Sequence, residues 1–470
     1  MTLEQILAVR PSPGQPRPYQ FPHFERSVLR SGLQVLAVHV PGRPLISVSL
    51  VIRRGAVDEP MDLAGATILA GRAMTEGTER YPGVELTEAA ERLGATLHAG
   101  GSWDSFSAGL EVASARLRPA LELLAELLEH PTFPEDDVAR LRDERLNDLL
   151  QTRADPRRRV DRLFTSTIYT PDSPYSRPSA GDEASVPRLT RAVLAQTHRG
   201  LLVPGQTALV VGGDLAGLDV SALAEETLGS FGTPDAATHL ASAPSGSAVD
   251  RPIVRLYHHP GAVQSEIRIG HVGLPRLVPD FHSVQVMSAI LGGLFNSRLQ
   301  LNLREEKGYT YGVGAGFDMR RLAGPFSVRT AVHTEATVPA IAESLKELRR
   351  IRDERVTDAE LSAATDYLVG VFPLRFETPG AVVAAIGSLF SQGLPDDEMA
   401  TYRSHVEAVT ADDVQRAAQR HIDLDRIAIV LVGDADAVKD DLSKAGFGQL
   451  AVIREEPNAR AERTSEEGVA

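Results

Sequence analysis

Ala208-Leu209-Val210-Val211-Gly212-Gly213-Asp214 recurs as Ala428-Ile429-Val430-Leu431-Val432-Gly433-Asp434, with the two aspartates 220 residues apart. Each run is aliphatic up to a glycine and an acid, which reads as a buried strand ending in a turn. The same offset relates Pro119-Ala120-Leu121 to Pro339-Ala340-Ile341, each opening an amphipathic helix. A similar one relates Pro134-Glu135-Asp136-Asp137-Val138 to Thr357-Asp358-Ala359-Glu360-Leu361, acidic starts that suit a helix dipole. Three matches in one order mark the duplication of a unit of roughly 200 residues.

Around the repeats the composition shifts. The first repeat spans 1–232 and the second 251–454. Residues 233–250, rich in Ser, Ala, Gly and Pro, read as the linker, and the polar segment 455–470 reads as a disordered tail. In the first copy, Val35-Leu36-Ala37-Val38 and Ile46 to Ile52 read as strands, and Asp62 to Arg72 as a helix. Gly94 to Val112 reads as a hairpin centred on Gly100-Gly101, and Arg116 to His130 and Glu135 to Thr152 as helices. The predicted class is α+β: two homologous repeats, each an antiparallel sheet covered by helices on one face.

Composition narrows the function. The chain of 470 residues is 43% hydrophobic and 24% charged, with a formal net charge of −14 that argues against nucleic-acid or anionic-membrane partners. Its lysines are Lys307, Lys346, Lys439 and Lys444, and none stands in a phosphate-binding loop. Cysteine is absent, so thiolate metal sites and cysteine nucleophiles are excluded. With no apolar run of about 18 residues and no apolar leader, the chain reads as a soluble cytoplasmic protein. Gly312 to Gly316 reads as a strand with close backbone approach, and the arginine-rich run Arg153 to Arg162 as a solvated helix face or partner contact. His258 and His259 are adjacent on a strand, point to opposite faces and read as structural.

Two segments carry a resemblance. Gly65 to Thr78 is similar to the zinc helix of the pitrilysin/insulinase/mitochondrial processing peptidase family of metallopeptidases, which carries H-x-x-E-H before a Gly-Thr pair. Leu301-Asn302-Leu303-Arg304-Glu305-Glu306-Lys307-Gly308-Tyr309-Thr310-Tyr311 resembles that family's second-copy signature, an arginine followed seven residues later by a tyrosine. Aligned on Gly77-Thr78, the first segment places Ile68, Gly71 and Arg72 where active members have histidine, glutamate and histidine. The family's third ligand, a glutamate, falls at Asn147 or Asp148. Isoleucine offers no lone pair, glycine no base, and arginine a fixed positive charge, so this chain is expected to hold no catalytic zinc.

Arg304 and Tyr311 are both present, and the resemblance makes them the catalytic pair that holds a substrate carbonyl and a developing oxyanion. Taken alone, they read as a surface cation beside Glu305 and Glu306 and as a strand aromatic. The repeat and the Lys307-Gly308 turn favour the functional reading. What the resemblance implies is the non-zinc subunit of a heterodimeric peptidase. Its partner would be a homologous H-x-x-E-H chain carrying the zinc, and its substrate an unfolded peptide. Without that partner, a homodimer is the alternative assembly left open. The alternative is a catalytically inactive peptide-binding or scaffold protein of the same fold.

Overall fold

The computed structural model describes residues 17–232 and 246–454. Most of the interval 233–250 and all of 455–470 lie outside them. In the first repeat the order is β1 (Phe24–Val28), β2 (Gln34–His39), β3 (Leu45–Ile52), α1 (Ala66–Met74), α2 (Val84–Arg92), β4 (His98–Gly101) and β5 (Phe106–Ala113). Then come α3 (Leu117–Glu129), α4 (Glu135–Ala154), α5 (Pro156–Ile168), α6 (Arg191–Leu201), β6 (Thr207–Gly213) and α7 (Val220–Leu228). The second repeat runs β7 (Ile253–His258), β8 (Gln264–Val272), α8 (Phe281–Ser288), β9 (Val313–Phe317), β10 (Pro325–His333), α9 (Thr337–Asp353), α10 (Asp358–Val371), α11 (Pro379–Gln392), α12 (Glu398–Glu407) and α13 (Ala411–His421). It closes with β11 (Ala428–Gly433), α14 (Ala435–Ala445) and β12 (Gln449–Ile453).

The two six-stranded sheets have orders β1-β2-β6-β3-β5-β4 and β12-β7-β11-β8-β10-β9. Five positions match strand for strand, so the duplication is visible in topology as well as in sequence. The sixth strand comes from opposite ends of the two repeats. β1 precedes β2 and pairs with it antiparallel, whereas β12 follows β11 and pairs parallel with β7.

The α+β duplication holds, with two differences from the expected sheets. They are mixed rather than wholly antiparallel, because β2 runs parallel to β6 and β7 parallel to β11. Nor is one face of each left open. The repeats exchange equivalent helices: α5 of the first lies on the second sheet, and α11 of the second lies on the first sheet. Hence β6 is buried at every residue, with Leu209 and Val211 facing its own repeat's helices and Ala208 and Val210 facing Val382, Val383 and Ile386 of α11. Likewise Ile429 and Leu431 of β11 face their own helices, while Ala428, Val430 and Val432 face Val160, Phe164 and Ile168 of α5. Strands buried on both faces read as unbroken apolar runs rather than alternating ones.

Close packing and an ion pair fix the exchanged helices. A Cβ at Gly212 would stand 2.6 Å from a Val383 methyl, and one at Gly270 would stand 3.0 Å from the Phe164 ring. Arg268 of β8, 3% exposed, donates to Asp161 of α5 at 2.6 Å. The equivalent hairpin turns of the two repeats also meet. Arg321, between β9 and β10, pairs with Asp58 at 2.5 Å, and its N–H donates to Asp104, between β4 and β5. The Arg320 guanidinium lies over the rings of Trp103 and Tyr175, and the Tyr169 hydroxyl donates to Ala323 O.

Two local readings shift. Asp62 does not open a helix; Met61–Leu63 form a single 3₁₀ turn, and α1 begins at Ala66, where the Glu59 carboxylate accepts from the N–H groups of Gly65 and Thr67. Gly100 and Gly101 are not the hairpin turn but part of β4, and the turn is residues 102–105.

Gly212→Val should lose more than about 2 kcal/mol in urea unfolding, because the branched side chain must displace α11 from the sheet. A pH dependence is also expected from His198, 4% exposed with Nε2 donating to Leu128 O at 2.8 Å. Burial lowers its pKa from 6.5 to about 4. Below its ordinary pKa the unfolded chain takes up a proton that the folded protein refuses, so stability falls as pH drops from 6.5 towards 4, by up to about 3 kcal/mol. His198→Gln keeps the donor without the titration. The stability advantage of wild type over it should shrink between about pH 7 and about pH 4.5.

Candidate functional site

Two places in the molecule correspond to the motifs, one in each repeat. In the first, α1 buries Leu69, Ala70, Ala73 and Met74 in the repeat's core. Ile68 is half-buried, Gly71 buried and Arg72 exposed. None of the three offers a neutral metal ligand. Space is lacking as well as chemistry. A Cβ at Gly71 would lie 2.7 Å from Gly100 Cα and 3.0 Å from the Phe106 ring, and one at Gly101 would lie 2.9 Å from a Thr67 methyl. These glycines let β4 approach α1 so closely that no side chain fits where a general base would stand. The residues here do not fit a zinc ion.

What occupies the place is an ion-pair network. Arg72 donates to Glu144 of α4 at 2.6 Å, and Arg140 bridges Glu144 at 2.7 Å, Glu76 at 2.8 Å and Asp137 at 2.9 Å. Hydrogen bonds from Arg72 and Arg140 hold the Glu144 carboxyl below its usual range. Asp148 is engaged elsewhere, by Arg145 and Arg158, both at 2.5 Å. The carboxylate that reaches the motif is therefore Glu144, one helical turn before Asp148. A guanidinium links α1 to α4 where the resemblance would place a metal cation.

In the second repeat the motif is open. Residues Ala289–Gly293 and Gln300–Glu306 are both π-helical, a rare geometry frequent at functional sites. The second turn is anchored by buried Leu303 and by Asn302, whose amide donates to Glu343 and Glu347 of α9, both at 2.8 Å. Gly308, at φ +64°, turns the chain back. The Thr310 hydroxyl then donates to Gly312 O at 2.9 Å and fixes the approach to β9. Arg304 and Tyr311 line the same cavity, of about 440 Å³, with Gln264, Glu305, Gly308, Tyr309, Thr310, Ala331 and His333. Tyr311 is 89% exposed. The Arg304 guanidinium rests 4.8 Å from the centre of the exposed Phe295 ring and 3.4 Å from Glu305. The cavity thus offers a fixed cation and a phenol donor, and β9, the strand that follows Tyr311, stands last in the sheet order beside β10. Sequence reasoning missed Gln264 and His333, which the β8–β10 register sets opposite each other; each is far from the motif in sequence.

One other cluster invites a metal reading. Nitrogen and oxygen atoms of His258, Asp434 and Asp436 lie within 4.8 Å of one another. Yet His258 Nδ1 accepts from the Ala435 N–H at 3.1 Å, and His39 Nδ1 in the first repeat accepts from the Leu215 N–H at the same distance. The duplicated role is to tie the end of a strand to the turn after β6 or β11, which gives this histidine a structural partner in both repeats.

A duplicated α+β shell with a metal helix lacking ligands in one half and an arginine–tyrosine pair in the other defines a protein of the two-repeat metallopeptidase class. The chain belongs to peptidase family M16: residues 34–181 match the family described as Insulinase (Peptidase family M16), and 188–368 match the Peptidase M16 inactive domain. It is 25% identical over 425 residues to an uncharacterized zinc protease of Mycobacterium tuberculosis, covering 90% of this chain and 96% of that protein. It is 22% identical over 404 residues to the non-peptidase homolog YmxG of Helicobacter pylori, covering 83% and 89%. The crystal structure of a peptidase M16 inactive domain from Pseudomonas fluorescens superposes with a TM-score of 0.81 at 25% identity, covering 87% of this chain and 98% of that one.

Reinstalling the motif as Ile68→His, Gly71→Glu, Arg72→His should fail to create a metal site. After zinc incubation and desalting, mass spectrometry should find no stoichiometric metal. The triple variant should also unfold at lower urea than Arg72→Ala, because the carboxylate side chain introduced at position 71 must push β4 off α1.

Proposed function

We propose that this chain is the zinc-free subunit of a two-chain M16 peptidase, supplying Arg304 and Tyr311 to a catalytic centre whose metal and base belong to a homologous H-x-x-E-H subunit. The observation that carries this reading is the contrast between the halves. The first site is closed by Gly71 against Gly100 and bridged by Arg72–Glu144, whereas the second holds both donors at the mouth of an open cavity. Two of its relatives, a non-peptidase homolog and an M16 inactive domain, support a chain without peptidase activity of its own.

In this reading an extended peptide adds beside β9, the last strand of its sheet, where main-chain hydrogen bonds read backbone rather than side chain. Its scissile carbonyl then lies beside Arg304 and Tyr311. Arg304 brings charge that no pH change removes, steadied by the Phe295 face, and Tyr311 brings a directional hydroxyl. Both stabilise negative charge as it develops on the carbonyl oxygen, and donors placed in advance are worth most there. The partner's zinc supplies the activated water. A scaffold protein of the same fold, the second reading, has no use for the two donors together.

The test is peptide cleavage after mixing with a H-x-x-E-H chain from the same source. Arg304→Ala or Tyr311→Phe should lower kcat about a hundredfold to a thousandfold while size-exclusion chromatography still shows the heterodimer. Unchanged turnover in both variants would leave the scaffold reading in place.

A further inference from the structure

Five methionines fall among the described residues, and they differ in access. Met74 and Met287 are fully buried, Met319 and Met399 are half-buried, and Met61 is 41% exposed. Met61 opens the 3₁₀ turn just before α1. Together with Arg177, on the loop between α5 and α6, it lines a cavity of about 1030 Å³. A small oxidant therefore has a route to its sulfur.

That sulfur faces a charged donor. Arg177 Nε donates to Met61 Sδ at 3.4 Å, and the arginine is nearly sealed, with 4% of its side chain exposed. Its Nη2 donates to Ala56 O at 3.2 Å. Glu59 stands 3.5 Å from its Nη1, and the Glu59 carboxylate is held by the N–H groups of Gly65 and Thr67 at 2.8 and 2.6 Å. Among the described residues, then, Nε has a thioether as its acceptor. Thioether sulfur is a weak acceptor, and a charged donor removed from water does poorly with one. A sulfoxide oxygen, the negative end of a polar S–O bond, accepts far better, and hydrogen bonds from charged donors are the strong ones.

We propose that Met61 is a methionine-sulfoxide site, oxidised by peroxide ahead of the other four methionines and held in its oxidised form by Arg177. A sulfur lone pair attacks one peroxide oxygen, and the O–O bond breaks as the S–O bond forms. The departing hydroxide takes the proton of the transferred oxygen and leaves as water, so sulfur is oxidised by two electrons and peroxide is reduced. Arg177 engages one of the two sulfur lone pairs and leaves the other for this step. Rotation about the flexible side chain then brings the new oxygen to Nε. Oxidation of a packed methionine ordinarily weakens a fold, because it puts a polar group among apolar ones. Here it exchanges a weak acceptor for a strong one, and fastens the turn before α1 to the loop after α5. The site is independent of the peptidase reading, since neither residue lines the Arg304 cavity.

The isolated full-length chain suffices for the test. Titrated with hydrogen peroxide and mapped by peptide mass spectrometry, it should gain oxygen on Met61 before Met74, Met287, Met319 or Met399. Protein oxidised at Met61 should unfold at higher urea than untreated protein, and methionine sulfoxide reductases should return it to the starting midpoint. Met61→Leu keeps the apolar bulk and removes the acceptor, so it should unfold at lower urea than wild type and lose the upward shift with peroxide. Met61→Gln, with an amide oxygen in place of the sulfoxide, should shift the midpoint upward without peroxide. Earlier oxidation of any of those four methionines, a lower midpoint once Met61 is oxidised, or a Met61→Leu variant as stable as the oxidised protein would each overturn the proposal.

Discussion

Everything in this molecule depends on the exchange of α5 and α11. A six-stranded sheet with helices on one side leaves an apolar face in water, and neither repeat covers that face from its own chain. Each lends the other one helix, the same helix in both copies, and with it a cluster of aliphatic and aromatic side chains. The result is one folding unit built from two copies rather than two domains on a string. The meeting of the equivalent hairpin turns through Arg320, Arg321, Asp58 and Asp104 closes the same junction from a second side. Two sites held by such a frame keep fixed positions, which an account based on donors aimed at a neighbouring molecule requires.

On this common frame the two copies differ where the chemistry would be. The first has a regular helix pressed on a glycine strand, and the arginine at its exposed face spends its charge on Glu144. The second interrupts its helices with two π turns, exposes Phe295 and Tyr311 and leaves Arg304 on the lip of a cavity. Glycine closes helix on sheet in both copies, at Gly71 against Gly100 and at Gly292 against Ala315. What the second copy adds is the π turn after it and Gly308, which turns the chain away and leaves Arg304 and Tyr311 on a cavity.

Much of this was legible in the residues. The twin runs ending at Asp214 and Asp434 marked the duplication, and the substitutions at Ile68, Gly71 and Arg72 marked a site without ligands. Their unbroken aliphatic character also carried the signal of two-sided burial, a signal outweighed by the expectation of a one-faced sheet. Helix exchange itself was not legible, since nothing local in Val160-Asp161-Arg162-Leu163-Phe164 says which sheet it covers. The hairpin turn was misplaced because Gly100-Gly101 reads as a turn, yet those glycines serve the contact with α1. The Arg72–Glu144 pair was not legible, because helix phase and tilt, not sequence distance, choose the partner. Gln264 and His333 were beyond reach, being joined to Arg304 only by strand register.

The most direct measurement is the metal content of the isolated chain after zinc incubation and removal of free ion, read together with cleavage of an unstructured peptide by the same sample. The account predicts metal far below one equivalent and no cleavage, with both Arg304 and Tyr311 intact. One tightly held zinc per chain with turnover in the absence of any partner would contradict it.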